Sequence, residues 1–155
     1  KTEELFKEST KVGAILSNIK NKEKEALEFY GRNLGLTFQI ADDALDYNSE
    51  LKLFGKKIGQ DFYEGKITLP IILLFQKAEN NEKEKLREIF SKVKRTEDNF
   101  NYTLSLIKKY NIIKGCYQKA QHYIDISSNS LSVFNDSEEK DILKNLTSFS
   151  LTRSF

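Results

Sequence analysis

The chain has 155 residues, of which 39% are hydrophobic and 31% charged, with a net charge of +2. That length suits one domain or a piece of a larger one, and the composition is that of a globular protein able to build a core. So small a net charge excludes a broad basic footprint, and no nucleic-acid partner is expected. One cysteine, Cys116, rules out an internal disulfide and fits a reducing compartment, so a cytoplasmic location is the expectation. The longest apolar run, LPIILLF at residues 69 to 75, is far too short for a transmembrane segment. Methionine is absent and the first residue is Lys1, which leads to the expectation that this is the tail part of a longer chain.

Proline occurs once and the apolar spacing is mostly three and four residues, so an all-α protein is expected. A first helix runs from Thr2 to Ile19, with Thr2 as a candidate cap, Glu3 and Glu4 near the positive end of the dipole, and Leu5, Val12, Ile15 and Ile19 as its inner face. A second, long helix runs from Lys22 to Tyr47 with an apolar stripe of Leu27, Gly31, Leu34, Phe38, Ala41 and Leu45. Gly31 and Gly35 lie inside it, one turn apart, each costing about 1 kcal/mol relative to alanine. Such a cost points to close backbone approach by a partner helix or a ligand.

Residues 48 to 67 break the helical pattern and form a lysine-rich loop punctuated by Gly55, Gly59 and Gly65. Loops of that length inside compact domains are usually functional or disordered. Pro70 suits the first turn of a third helix. Helices then follow at Glu82 to Val93, Thr96 to Tyr110, Ile112 to Val133 and Asp136 to Leu151, the last with Asp136 and Glu139 spaced as in a capping box. These read as scaffold. The single histidine, His122, and Cys116 carry no pattern that points to catalysis.

The segment FQIADDALDY, residues 38 to 47, carries the chemistry. Helical spacing puts Gly35, Gln39, Asp42 and Asp46 on one stripe beside the apolar one, with Asp43 alongside. Two carboxylates about 4 Å apart repel by roughly 1 kcal/mol in water and about 4 kcal/mol at an effective dielectric of 20. No basic residue lies within a helical turn of Asp42. The acids therefore face water, take up protons or share a cation. The flanking Phe38, Ile40, Ala41 and Leu45 leave little room for a wet face. Oxygen ligands suit Mg²⁺, which takes one or two carboxylates plus substrate phosphates. Lys56, Lys57 and Lys66 in the loop then suggest an anion bridged by the metal, a diphosphate above all, although lysines in loops often serve solubility alone.

FQIADDALDY and GKKIGQDFYEGKITLP, residues 55 to 70, together resemble the second aspartate-rich region of trans-polyprenyl diphosphate synthases. That family's pattern is F-Q-x-x-D-D-x-x-D followed by G-K-x-x-G-x-D-x-x-E-G-K-x-T-L-P, and every fixed position is matched, including Asp61 and Glu64. Lys1-Thr2 ahead of GAIL, the lead GRNLGLTFQ and the closing FSLTRSF are similar to further family segments. The resemblance implies an isoprenoid-synthase (class I terpenoid synthase) helical bundle, residues 1–155 being the C-terminal part of one polyprenyl synthetase domain. It also implies prenyl transfer, in which an allylic diphosphate is elongated with isopentenyl diphosphate in the presence of Mg²⁺. Asp42, Asp43 and Asp46 are the implied metal residues. Lys1, Lys56 and Lys66 are the implied diphosphate contacts. Thr2 and Gln39 would face the developing cation, where oriented dipoles stabilise charge.

The family's earlier aspartate-rich motif and its neighbouring arginines do not occur in these residues. The chain is therefore expected to be inactive alone and to work as a homodimer or with a partner chain supplying the missing N-terminal half. The alternative is a non-catalytic α-helical subunit or remnant of such a synthase. If residues are missing upstream, the first two helices should show apolar surface.

Overall fold

The computed structural model describes residues 2–48 and 58–152. Lys1, Gly55, Lys56, Lys57 and Arg153 lie outside the described residues, and so do the expectations placed on them. The helices are α1 (Thr2–Leu16), α2 (Asn21–Leu45), α3 (Gln60–Glu64), α4 (Leu69–Lys77), α5 (Asn80–Ser91), α6 (Glu97–Lys109), α7 (Ile112–Ser130) and α8 (Glu138–Thr152), with a 3₁₀ turn at Leu131–Val133. Among the described residues there is no strand, and no helix is long and apolar enough to cross a membrane. The chain divides into two compact units, residues 1–41 with 118–155, and residues 42–117.

In the first unit α1 packs on α2 through the two glycines. A Cβ on Gly35 would lie 2.7 Å from the Glu3 Cα, and one on Gly31 would lie 2.7 Å from the Phe6 carbonyl and collide with the Thr10 hydroxyl. The close approach expected there is thus made by a partner helix. It also corrects the expected face of α1. Leu5, Val12 and Ile15 are exposed, and Ala14 is the residue of α1 that is fully buried. Glycine grooves select the side bearing Phe6, Thr10 and Ala14, because that side lets the backbones close. Asn18, left-handed at φ 49°, turns the chain after α1. The unit's core is Tyr30, Leu34 and Leu131, with Phe6, Leu27, Phe134 and Leu143 against it. The buried Tyr30 hydroxyl donates to the Leu143 carbonyl at 2.8 Å, and the Ser127 hydroxyl donates to the Tyr30 carbonyl at 3.1 Å. At the start of α8 the Ser137 hydroxyl accepts the Lys140 N–H at 3.2 Å, so Ser137 takes the cap role expected of Asp136. Asp136 instead pairs with Lys140 at 2.9 Å.

The second unit is built on aromatic rings. Phe62 is fully buried, with its ring centroid 5.2 Å from Phe100 and 5.4 Å from Phe90. Ile71 and Leu74 of α4, Leu86 and Ile89 of α5, Leu106 and Ile107 of α6, and Cys116 are also buried. Thr96 caps α6 by accepting the Asn99 N–H at 3.3 Å, while the Asn99 side chain accepts the Thr96 N–H at 3.3 Å. The first turn holds Glu97 and Asp98 and the last holds Lys108 and Lys109, the order that the helix dipole favours.

Candidate active site

Residues 48 to 67, expected to be loop, contain the short helix α3. Its two ends are left-handed glycines, Gly59 at φ 84° and Gly65 at φ 77°. Each is also packed against a side chain: a Cβ would lie 2.6 Å from the Phe100 ring at Gly59 and 2.8 Å from the Arg95 guanidinium at Gly65. Any L side chain there is opposed by both backbone and space. Arg95 is itself fixed, donating to the Phe90 carbonyl at 2.8 Å and sitting 5.3 Å from the centre of the Phe90 ring.

The second unit bears a cavity of about 280 Å³ lined by Asp42, Asp46, Gln60, Asp61 and Lys66, with Leu45 and Ile58 as its apolar walls. Asp42 and Asp46 are one helical turn apart, as the spacing predicts. The Asp46 carboxylate accepts backbone N–H groups from Gly59 at 3.1 Å, Gln60 at 3.0 Å and Asp61 at 2.8 Å. Burial pushes its carboxyl above the ordinary carboxylate value, and the N–H groups of Asp61 and Gln60 pull it back. Lys66 Nζ reaches Asp61 at 2.8 Å and Glu64 at 2.7 Å, and these two carboxylates, Asp61 first, hold the ammonium firmly charged. Burial, then the Asp46 charge, keeps the neighbouring Tyr47 phenol neutral.

Of the residues expected in a site, Asp42, Asp46 and Lys66 come together here. Asp43 is buried and does not line the cavity. Thr2, half-buried in the first turn of α1, and Gln39, exposed on α2, belong to the first unit. Asp61 and Gln60 were not singled out as site residues from the sequence. The available signal was that Asp61 is a fixed position of the family pattern between the two glycines. Among the described residues no three histidine, cysteine or carboxylate groups form a ready-made cage for a cation. The cavity thus offers separate carboxylate oxygens beside an ion-paired ammonium, which suits a hard cation that keeps open positions for other oxygen ligands.

The polyprenyl synthetase family matches residues 1–107. A short chain isoprenyl diphosphate synthase of Methanothermobacter thermautotrophicus is 31% identical over 99% of this chain and 46% of its own length. A chloroplastic solanesyl-diphosphate synthase 2 of Oryza sativa subsp. japonica is 31% identical over 99% of this chain and 37% of its own. Among solved structures, a polyprenyl synthase of Caulobacter crescentus CB15, complexed with calcium and isoprenyl diphosphate, superposes with a TM-score of 0.89 at 34% identity, covering 99% of this chain and 47% of that one. A decaprenyl diphosphate synthase of Rhodobacter capsulatus gives 0.91 at 28% identity with the same coverages, 99% and 47%. The chain therefore spans about half the length of the relatives it matches, and the fold is that of the all-α isoprenoid synthases. With the family matched over most of the chain and relatives aligned along nearly all of it, this chain belongs to the polyprenyl synthetase family.

Proposed function

We propose that the protein is a prenyltransferase that elongates an allylic diphosphate with isopentenyl diphosphate, and that this chain supplies the second aspartate-rich wall of its active site. The observation that carries this is the convergence of Asp42, Asp46, Asp61 and Lys66 on one cavity within the matched motif. Mg²⁺ fits these donors, since it asks for one or two carboxylates and leaves positions for phosphate oxygens. When bound, Mg²⁺ neutralises the diphosphate and makes it a better leaving group. Asp42, exposed at the end of α2, is the foremost carboxylate for the cation, and Asp43 supports that turn from its buried position. Lys66 releases one of its two carboxylates to hold the allylic diphosphate, together with Lys1 and Lys56. The allylic C–O bond breaks with its electron pair leaving on the diphosphate. The allylic carbon bonds to isopentenyl diphosphate, and a proton is lost from the new adduct. The family resemblance also gives Thr2 and Gln39, both of the first unit, the task of facing the developing cation.

The N-terminal half, in this reading, brings the other acidic motif and the isopentenyl diphosphate pocket, within one longer chain or from a partner. The working enzyme is then a cytoplasmic homodimer or a complex of two halves, and the 155 residues alone are inactive. The test is Mg²⁺-dependent prenyl transfer by the full-length protein, wild type against Asp42→Ala. Loss of the several kcal/mol a metal contributes lowers turnover by about 100-fold or more. Unchanged turnover sinks the assignment of the site.

A second reading, a non-catalytic helical subunit or remnant, is favoured by the absence of the family's first aspartate-rich motif from these 155 residues. The coding sequence upstream of Lys1 separates the two. An in-frame D-D-x-x-D segment supports the enzyme, and a nearby stop codon supports the remnant.

A further inference from the structure

We infer that Asp46 is a positioning residue rather than a cation ligand: its carboxylate caps the start of α3 and thereby sets Asp61 and Lys66 in the cavity. The inference rests on the site proposed above and changes what one of its three aspartates does. A helix leaves its first N–H groups without partners, and a side chain just before it normally accepts one. The residue before α3 is Gly59, which has no side chain to offer. Asp46, thirteen residues earlier, supplies the acceptor. One carboxylate oxygen takes the N–H groups of Gly59 and Gln60 at 3.1 and 3.0 Å, and the other takes that of Asp61 at 2.8 Å. The Asp46 backbone carbonyl also accepts the Gly59 N–H, at 2.8 Å.

Three N–H dipoles therefore point their positive ends at this carboxylate. They satisfy its charge and oppose a cation arriving at the same oxygens. Asp42, one turn earlier on the same cavity, makes no side-chain hydrogen bond among the described residues and keeps its oxygens for other ligands. The geometry passes from Asp46 to the Asp61 backbone, from there to the Asp61 carboxylate, and on to Lys66 at 2.8 Å. Loss of the cap frees both groups at once.

The two roles respond differently to amide substitution. Asparagine caps nearly as well as aspartate, because its carbonyl oxygen still accepts N–H groups. An uncharged amide is a poor substitute for a carboxylate on Mg²⁺. The experiment uses the full-length protein with Asp46→Asn, Asp46→Ala and Asp42→Asn. It reads amide hydrogen exchange at residues 59–61 and calorimetric titration with Mg²⁺ in the presence of inorganic diphosphate. Asp46→Asn is expected to keep the Mg²⁺ dissociation constant within about twofold and to lose protection mainly at Asp61, whose acceptor becomes an NH₂ group. Asp46→Ala is expected to lose about tenfold or more in protection at all three amides. Asp42→Asn is expected to weaken Mg²⁺ by about tenfold or more with exchange unchanged. If Asp46→Asn weakens Mg²⁺ as much as Asp42→Asn does, or if Asp46→Ala leaves the three amides protected, the positioning role is overturned. Should Asp46→Ala not fold, Asp46→Asn decides alone through its Mg²⁺ affinity. The exchange readout needs no substrate, so absence of prenyl transfer would count against the proposed reaction while leaving the cap to be judged separately.

Discussion

Glu82 shows how much one side chain at a helix start can gather. Its carboxylate accepts Lys109 Nζ at 2.8 Å, the Tyr110 hydroxyl at 2.6 Å and the Glu79 N–H at 3.0 Å. Lys109 first, then Tyr110, holds its carboxyl down at about 2. An unfolded glutamate titrates near 4.3. The folded value is the lower one, so the unfolded chain binds the proton more readily. The stabilisation is present above about pH 4.3 and is lost as the pH falls toward about 2. Glu82→Gln removes the titration while keeping an acceptor for the Glu79 N–H. Urea unfolding of both proteins between pH 7 and pH 2.5 is expected to show wild type ahead at neutral pH and the gap closing as the solution is acidified. A gap that stays constant over that range would show that the three contacts do not select the charged form.

At the scale of elements, two glycines of α1 and α2 differ in the sign of their effect. Gly13 lies inside α1, where an added Cβ would meet no atom within 4 Å, whereas Gly35 would press a Cβ to 2.7 Å from the Glu3 backbone. Gly13→Ala is expected to stabilise by about 0.5–1 kcal/mol through helix propensity. Gly35→Ala is expected to destabilise, since forced overpacking costs about 1–3 kcal/mol against the same gain. Chemical denaturation of the two variants checks the opposite signs. The long helix α2 and its glycine contact were legible because twenty-five residues repeat one spacing. The face of α1 was not. Hydrophobic spacing favours Leu5, Val12 and Ile15, but the partner surface is a glycine groove that accepts the smaller Thr10 and Ala14 with Phe6. Helix α3 was hidden for another reason. Five residues are too few to show a period, and its cap is Asp46, fourteen residues before its first residue. That Asp42 and Asp46 share one side of the helix was legible from local spacing, whereas the return of the chain that brings Asp61 and the N–H groups of residues 59–61 to Asp46 is not encoded there.

For the molecule as a whole, the question is what the apolar side of α1 does. Leu5, Val12, Ile15 and Leu16 are 67, 53, 56 and 80% exposed. Clustered apolar side chains left in water are uncommon in a monomer and favour association. The expectation of apolar surface covered the first two helices; these four side chains form such a surface on α1, and the chain spans about half the length of its relatives. The other side of α1 is held by the glycine contacts, by Arg32 with Glu3 at 2.8 Å and by Lys7 with Glu28 at 3.3 Å. Exposed ion pairs of this kind contribute about 0–1 kcal/mol each, so the glycine contacts dominate. Removing apolar groups from the exposed side should then cost almost nothing. The double variant Val12→Lys with Leu16→Lys is expected to change the stability of the 155-residue chain by no more than about 0.5 kcal/mol per site, the range for surface positions. It is also expected to reduce concentration-dependent self-association, read by sedimentation velocity. A loss of several kcal/mol would instead show that these side chains are buried in the chain as it folds. Equal self-association of wild type and variant would show that this face does not drive contact between chains.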